Sequence, residues 1–236
     1  MTFPAALIDL VPLALLAGVV GLDVVGFPQA MISRPIVGAT LGGAFLGAPE
    51  AGLVCGTALE CLALESLPVG ASRYPEWGSA SVAAGAVASV GATSSSFPDV
   101  GAFAVAVLVG IATGWIGGWT MVQQRQIIAG FARPRLDQLA AGSRNTVIGL
   151  QVFGMTLDLV RGTLLGALVI LVARPVAVHV NARWSVSEDL SRAIIITLVA
   201  AVAAAAVWKD FHAINGTRRL FVVSLAVGTL LVMAGA

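Results

Sequence analysis

Residues 33–60 read SRPIVGATLGGAFLGAPEAGLVCGTALE, and the fold class turns on this stretch. It is apolar and rich in glycine and alanine, it breaks at Gly47-Ala48-Pro49, and it ends on an acid, Glu60. A helix needs about 20 residues to cross the roughly 30 Å hydrocarbon core of a bilayer. Segment 35–46 is too short for that, and segment 51–67 is marginal and carries both Glu60 and Glu65. Backbone that enters a membrane without crossing it must be sheltered by protein or must line a wet cavity. Broken helices of this kind build the binding sites of many transport proteins.

The flanking sequence supports a membrane setting. The chain is 58% hydrophobic and only 11% charged, against roughly 45–50% and about 25% in soluble domains, and its mean hydropathy is +0.96. A globule of 236 residues could not hide that much apolar surface from water. Segment 4–25 is long enough to span, 79–92 is short and made of small residues, and 100–122 is the cleanest span. Segment 147–172 is long but holds Asp158 and Arg161, and 193–208 and 220–236 complete the series. The expected fold is therefore all-α: a polytopic integral membrane protein, one domain over 1–236, with full spans plus short broken or re-entrant helices. The N-terminus lacks a basic region and a small-residue cleavage site, so no removable secretory signal is expected.

Charge is split unevenly along the chain. Residues 1–124 carry two basic and seven acidic residues, and 125–236 carry eleven basic and five acidic. The stretch 123–145 reads as a polar connection holding Arg125, Arg133, Arg135 and Arg144 against Asp137. The positive-inside tendency places it in the cytoplasm.

Glu60 is the first candidate for a ligand-binding residue. A carboxylate at membrane depth costs at least about 2.5–3.5 kcal/mol unless it finds partners or water, and it is a functional-site hypothesis by default. Thr57 lies one turn earlier on α-helical spacing, so its hydroxyl could converge with the carboxylate. The alternative, an ion pair between Glu60 and Arg34, stays open. Glu65 stands just before Pro68, where a helix should end, and reads equally as site or interface. Asp23 closes the first span and opposes the helix dipole there. Gln29 follows in a Gly-Phe-Pro-Gln break, and Ser33-Arg34-Pro35 is a helix-start signal. Asp23, Gln29 and Arg34 thus outline a polar pocket. Asp158 and Arg161, three apart, are expected to neutralise one another.

Cys55 and Cys61 fall on different faces of a helix and far in sequence from His179 and His212, so neither a disulfide nor a metal site is expected. The sequence has no phosphate-cradling glycine loop and no nucleophile elbow. No catalytic residue, cofactor or nucleic-acid partner is expected.

Residues 33–60 resemble the signature region of component IIC of the mannose-fructose-sorbose family of the sugar phosphotransferase system. The shared order is Arg-Pro, a small-residue helix ending in Leu-Gly, a short acidic turn, and Gly-x-x-Leu-Glu; Leu67-Pro68-Val69-Gly70 continues it. The resemblance is strongest over about 20–92. One departure is Arg73-Tyr74-Pro75-Glu76-Trp77-Gly78, where family members more often carry a Pro-Asp-Ala-like run. The resemblance implies a permease subunit of the bacterial cytoplasmic (inner) membrane, without catalysis of its own. It implies a hexose-like sugar, a IID membrane partner, soluble IIA and IIB components that relay phosphate, and a homo-oligomer of IIC–IID pairs. It implies that Glu60 is a sugar ligand and, less directly, that Asp23 and Gln29 are. Two readings of other classes compete: a secondary transporter or channel without phosphate coupling, and an interaction subunit that has lost transport.

Overall fold

A computed structural model describes residues 3–24, 26–64, 73–92, 97–184, 186–212 and 216–235. Every regular element among them is helical. In chain order these are α1 (Phe3–Leu22), α2 (Pro35–Phe45), α3 (Pro49–Ala63), α4 (Trp77–Ala88), α5 (Val100–Ala132), α6 (Leu136–Ala140), α7 (Arg144–Arg183), α8 (Glu188–His212) and α9 (Thr217–Gly235), with a 3-10 turn at Arg133–Arg135. This is the expected class. Among the described residues, four stretches are long and apolar enough to cross a membrane: Val100–Ala140, Arg144–Arg183, Glu188–Trp208 and Thr217–Ala234.

The short helices are short in fact. At about 1.5 Å per residue, the 11 residues of α2, 15 of α3 and 12 of α4 reach roughly 16–23 Å, less than the hydrocarbon core. The glycines at which the sequence breaks are therefore true ends. After α2, Gly47 takes φ 76°, a left-handed conformation that glycine adopts without steric cost, and Pro49 opens α3 at its first turn. α4 is apolar or small all round, and every residue from Gly78 to Ala88 is buried, as expected of a helix at the centre of a bundle. It packs on α1, α2, α3, α5 and α7. α8 and α9 lie at the periphery, and most of their large apolar side chains are exposed, which suits surfaces bathed in lipid.

One expectation is corrected. The stretch 123–145 is mostly helix, because α5 continues to Ala132 and only the turn before Arg144 separates α6 from α7. Gln and Arg are good helix formers, and the extension is held by its own packing. The Phe131 and Phe153 rings lie 4.7 Å apart, and Gln124 Nε2 donates to the Gly154 carbonyl at 3.5 Å. Polar composition alone made it read as a loop. Its arginines still cluster at one end of the α5–α7 hairpin. A cysteine at Ala132, in a chain whose own cysteines are replaced, is therefore expected to react with an impermeant maleimide only from the cytoplasmic side. Labelling of intact cells from outside would invert the orientation.

Candidate functional site

Four helix ends meet at one place: α1 stops at Leu22, α2 starts at Pro35, α3 stops at Ala63 and α4 starts at Trp77. Asp23 follows α1 directly and is only 2% exposed. Its carboxylate accepts hydrogen bonds from Ala30 N–H at 2.6 Å, Ser33 N–H at 3.0 Å and Ser33 Oγ at 2.9 Å. Those bonds solvate the buried charge and pin the connecting loop, in which Gln29 and Met31 take left-handed φ of 57° and 61°. Non-glycine residues adopt that conformation rarely, and only where the surroundings hold them in it.

Glu60 reaches across from α3 to the start of α2. One oxygen accepts from Ile36 N–H at 3.2 Å, satisfying a donor that no helical carbonyl can reach. The other forms an ion pair with Arg34. Arg34 is the N-cap residue of α2, with Pro35 at the first helical position. The ion-pair alternative weighed for Glu60 is thus the arrangement the structure adopts. The pair stands beside an opening: a cavity of about 300 Å³ whose wall includes Asp23, Gln29, Ser33, Arg34, Tyr74 and Trp77. Glu60 is not on that wall, but Arg34 and Ala63, one turn beyond Glu60, are. The cavity is at the lower end of the roughly 300–1,000 Å³ found for small-molecule sites.

Of the expected site residues, the structure brings Asp23, Gln29 and Arg34 together at the cavity, with Glu60 held to Arg34. Thr57 is elsewhere. Its hydroxyl donates back to the Leu53 carbonyl at 2.9 Å, and it lines an apolar groove between α3 and α8 with Cys61, Phe97 and Ile195. Positions three apart are neighbours on a helix, but here the two side chains serve different packing partners: Thr57 faces the α8 groove and Glu60 the start of α2. Glu65 lies outside the described residues. Both cysteines are free, Cys55 buried and Cys61 partly so, and the described residues contain no group of His, Cys, Asp and Glu able to hold a metal.

With this geometry in view, residues 7–187 match the family model of the phosphotransferase-system sorbose-specific IIC component. The chain belongs to that family. No curated protein sequence matches it. Among the solved structures that share the fold of this IIC-family chain are two. One, described only as a membrane protein structure, has a TM-score of 0.64 at 21% identity and covers 99% of this chain and 95% of its own. The other is the mannose transporter ManYZ in complex with microcin E492, with a TM-score of 0.57 at 18% identity, covering 94% of this chain and 86% of its own.

At and behind the candidate cavity stand Tyr74 and Glu76, which were not among the expected site residues. Tyr74 lines the cavity, and its hydroxyl accepts from Arg125 Nη2 at 3.0 Å. Glu76 is completely buried and caps α4, accepting from Ser79 N–H at 3.0 Å. The signal was present in the sequence: Glu76-Trp77-Gly78-Ser79 stands directly ahead of a small-residue run, where an acid can bond the free N–H groups of a helix start. In the sequence it stands out only as part of the Arg73–Gly78 departure from the family pattern, not as a helix cap.

Proposed function

We propose that this chain is the sugar-translocating subunit of a phosphoenolpyruvate-dependent, mannose-type phosphotransferase system in the bacterial inner membrane. It forms the sugar path with a IID partner, while a soluble IIB component, recharged through IIA, phosphorylates the sugar. The observation that carries the reading is the family match over 7–187, which spans the whole of the polar cavity where four helices end. The chemistry of that cavity suits a neutral polyhydroxylated cargo. The charge of Asp23 is taken up by its own loop, and the charges of Glu60 and Arg34 cancel. The partly exposed Arg34 guanidinium can donate to hydroxyl groups, and Gln29, Tyr74 and Trp77 line the same wall, a mix of polar and aromatic side chains that suits a sugar. The chain binds and passes the sugar, and Glu60 organises the site by holding Arg34.

The test is uptake of labelled mannose and labelled sorbose by cells making this chain with and without a IID subunit in the presence of IIA and IIB. Uptake that needs both membrane subunits, with the sugar recovered as its phosphate ester, is the expected result. Free sugar equilibrating through this chain alone would favour a channel or secondary transporter. No uptake of either sugar by the full set would overturn the assignment to mannose-type cargo.

A further inference from the structure

Behind the cavity wall lies a second polar group that the transport reading does not use. Glu76 sits in a slot between α1, α5 and α7. Its N–H donates to the Gly114 carbonyl at 2.8 Å, and both of its carboxylate oxygens are bonded by Ser79, through N–H and Oγ. Glycines make room for it: a Cβ at Gly117 would lie 2.9 Å from the Glu76 Cβ, and one at Gly78 would lie 2.9 Å from Glu76 Oε1.

From α7, Arg161 enters the same slot. Its Nη1 lies 3.9 Å from Glu76 Oε2 and donates to the Gly117 carbonyl at 3.3 Å and to Thr120 Oγ1 at 3.4 Å. Its Nη2 donates to Asp158 Oδ1 at 3.3 Å. The expected Asp158–Arg161 pair is there, but neutralising Asp158 would not require the guanidinium to leave its own helix. It reaches across to α5 and to the cap of α4 as well. The residues on either side of Glu76 are Tyr74, Pro75 and Trp77, and all three line the cavity.

We propose that Arg161 is a positioning residue for the sugar cavity and acts through Glu76. By neutralising the buried cap of α4, it fixes the first turn of that helix against α5 and so sets where the Tyr74–Trp77 wall stands. A charged cap left alone in a dry slot would be driven toward water, and the wall would move with it. That the cavity holds sugar rests on the function proposed above; that Arg161 sets its wall does not.

The experiment therefore has two readouts. The first needs no substrate: a cysteine at Ala63, on the α3 side of the cavity, in a Cys55→Ala, Cys61→Ala chain, labelled by a small maleimide in native membranes. Arg161→Met and Glu76→Gln are each expected to change the labelling rate about tenfold, and the double variant no further, because two residues acting as one unit are not additive. Arg161→Lys keeps the charge but not the fork; it is expected to insert like the parent and still shift the rate, which keeps the test informative if Arg161→Met fails to fold. The second readout is uptake, where the same variants should raise KM about tenfold at unchanged maximal rate per inserted chain.

An unchanged labelling rate in all variants, with only the amount of inserted protein reduced, would make Arg161 merely structural and overturn the proposal. Additive shifts in the double variant would overturn the route through Glu76. Gln29→Ala, measured alongside, separates the two ideas. If it leaves uptake untouched, the cavity is not the sugar site, whatever Arg161 does to labelling. If it impairs uptake while the Arg161 variants change neither readout, only the positioning role fails.

Discussion

Glu60→Gln is expected to reduce sugar uptake roughly ten- to a hundredfold while the chain still inserts, since a hydrogen bond to a charged group contributes about 1.5–3 kcal/mol and each 1.36 kcal/mol is a factor of ten. The amide keeps an oxygen for Ile36 N–H, so the start of α2 should survive. What is lost is the charge that holds the Arg34 guanidinium, and Arg34 is the member of the pair on the cavity wall. The pair is not sealed off. The side chains of Arg34 and Glu60 are 36% and 18% exposed, so water softens the loss relative to a fully buried pair. Glu60→Ala should do more harm than Glu60→Gln, because it also orphans Ile36 N–H. Arg34→Gln should resemble Glu60→Gln, and the double variant should be little worse than either. Normal uptake by a properly inserted Glu60→Gln chain would remove Glu60 from the site. A strictly additive double variant would mean that the two side chains serve different ends.

How much of this was legible in the sequence follows from the range of the interactions involved. The end of α2, the start of α3 and the burial of α4 are local matters. Gly47, Pro49 and an unbroken run of small residues state them directly. Asp23 and Ser33 could be read as polar but not as partners, because they lie ten positions apart and meet only where the carboxylate takes both the Ser33 N–H and Oγ–H. Glu60 and Arg34 lie on different helices, and one helix pattern does not tell which acid faces which base. The slot for Glu76 is the least legible feature. It needs Gly117 from α5 and Arg161 from α7 at one point, a convergence produced by tertiary packing alone. The α5 extension failed for the opposite reason. Gln123, Gln124 and Arg125 look like a loop by polarity but carry high helix propensity, and packing on α7 decides in favour of helix.

Among the described glycines, Gly85→Ala is expected to be the most damaging single substitution by alanine. At Gly85 a Cβ would overlap the Ala39 carbonyl oxygen and lie 2.7 Å from the Ala39 Cα. The obstacle is the backbone of α2, so no side chain can swing aside. The same crossing is tight from the other helix, where a Cβ at Gly42 would lie 3.0 Å from the Val82 carbonyl carbon. Close approach of helix backbones over small residues is what holds membrane helices together, and here α4 has no slack, since it is buried on every side. Forcing the helices apart should cost at least about 1–3 kcal/mol, the usual range for overpacking, seen as loss of monodisperse protein on heating in detergent. It should also abolish uptake, because α2 carries Arg34 at its start and displacing the helix moves the cavity wall. Gly130→Ala and Gly149→Ala are the controls. Neither position has a neighbour within 4 Å, so each should be neutral or stabilise by up to about 0.5–1 kcal/mol through helix propensity. If Gly85→Ala behaves like these two, α2 and α4 do not cross as closely as described. The helix ends that frame the cavity would then have to be placed anew, and the sugar path with them.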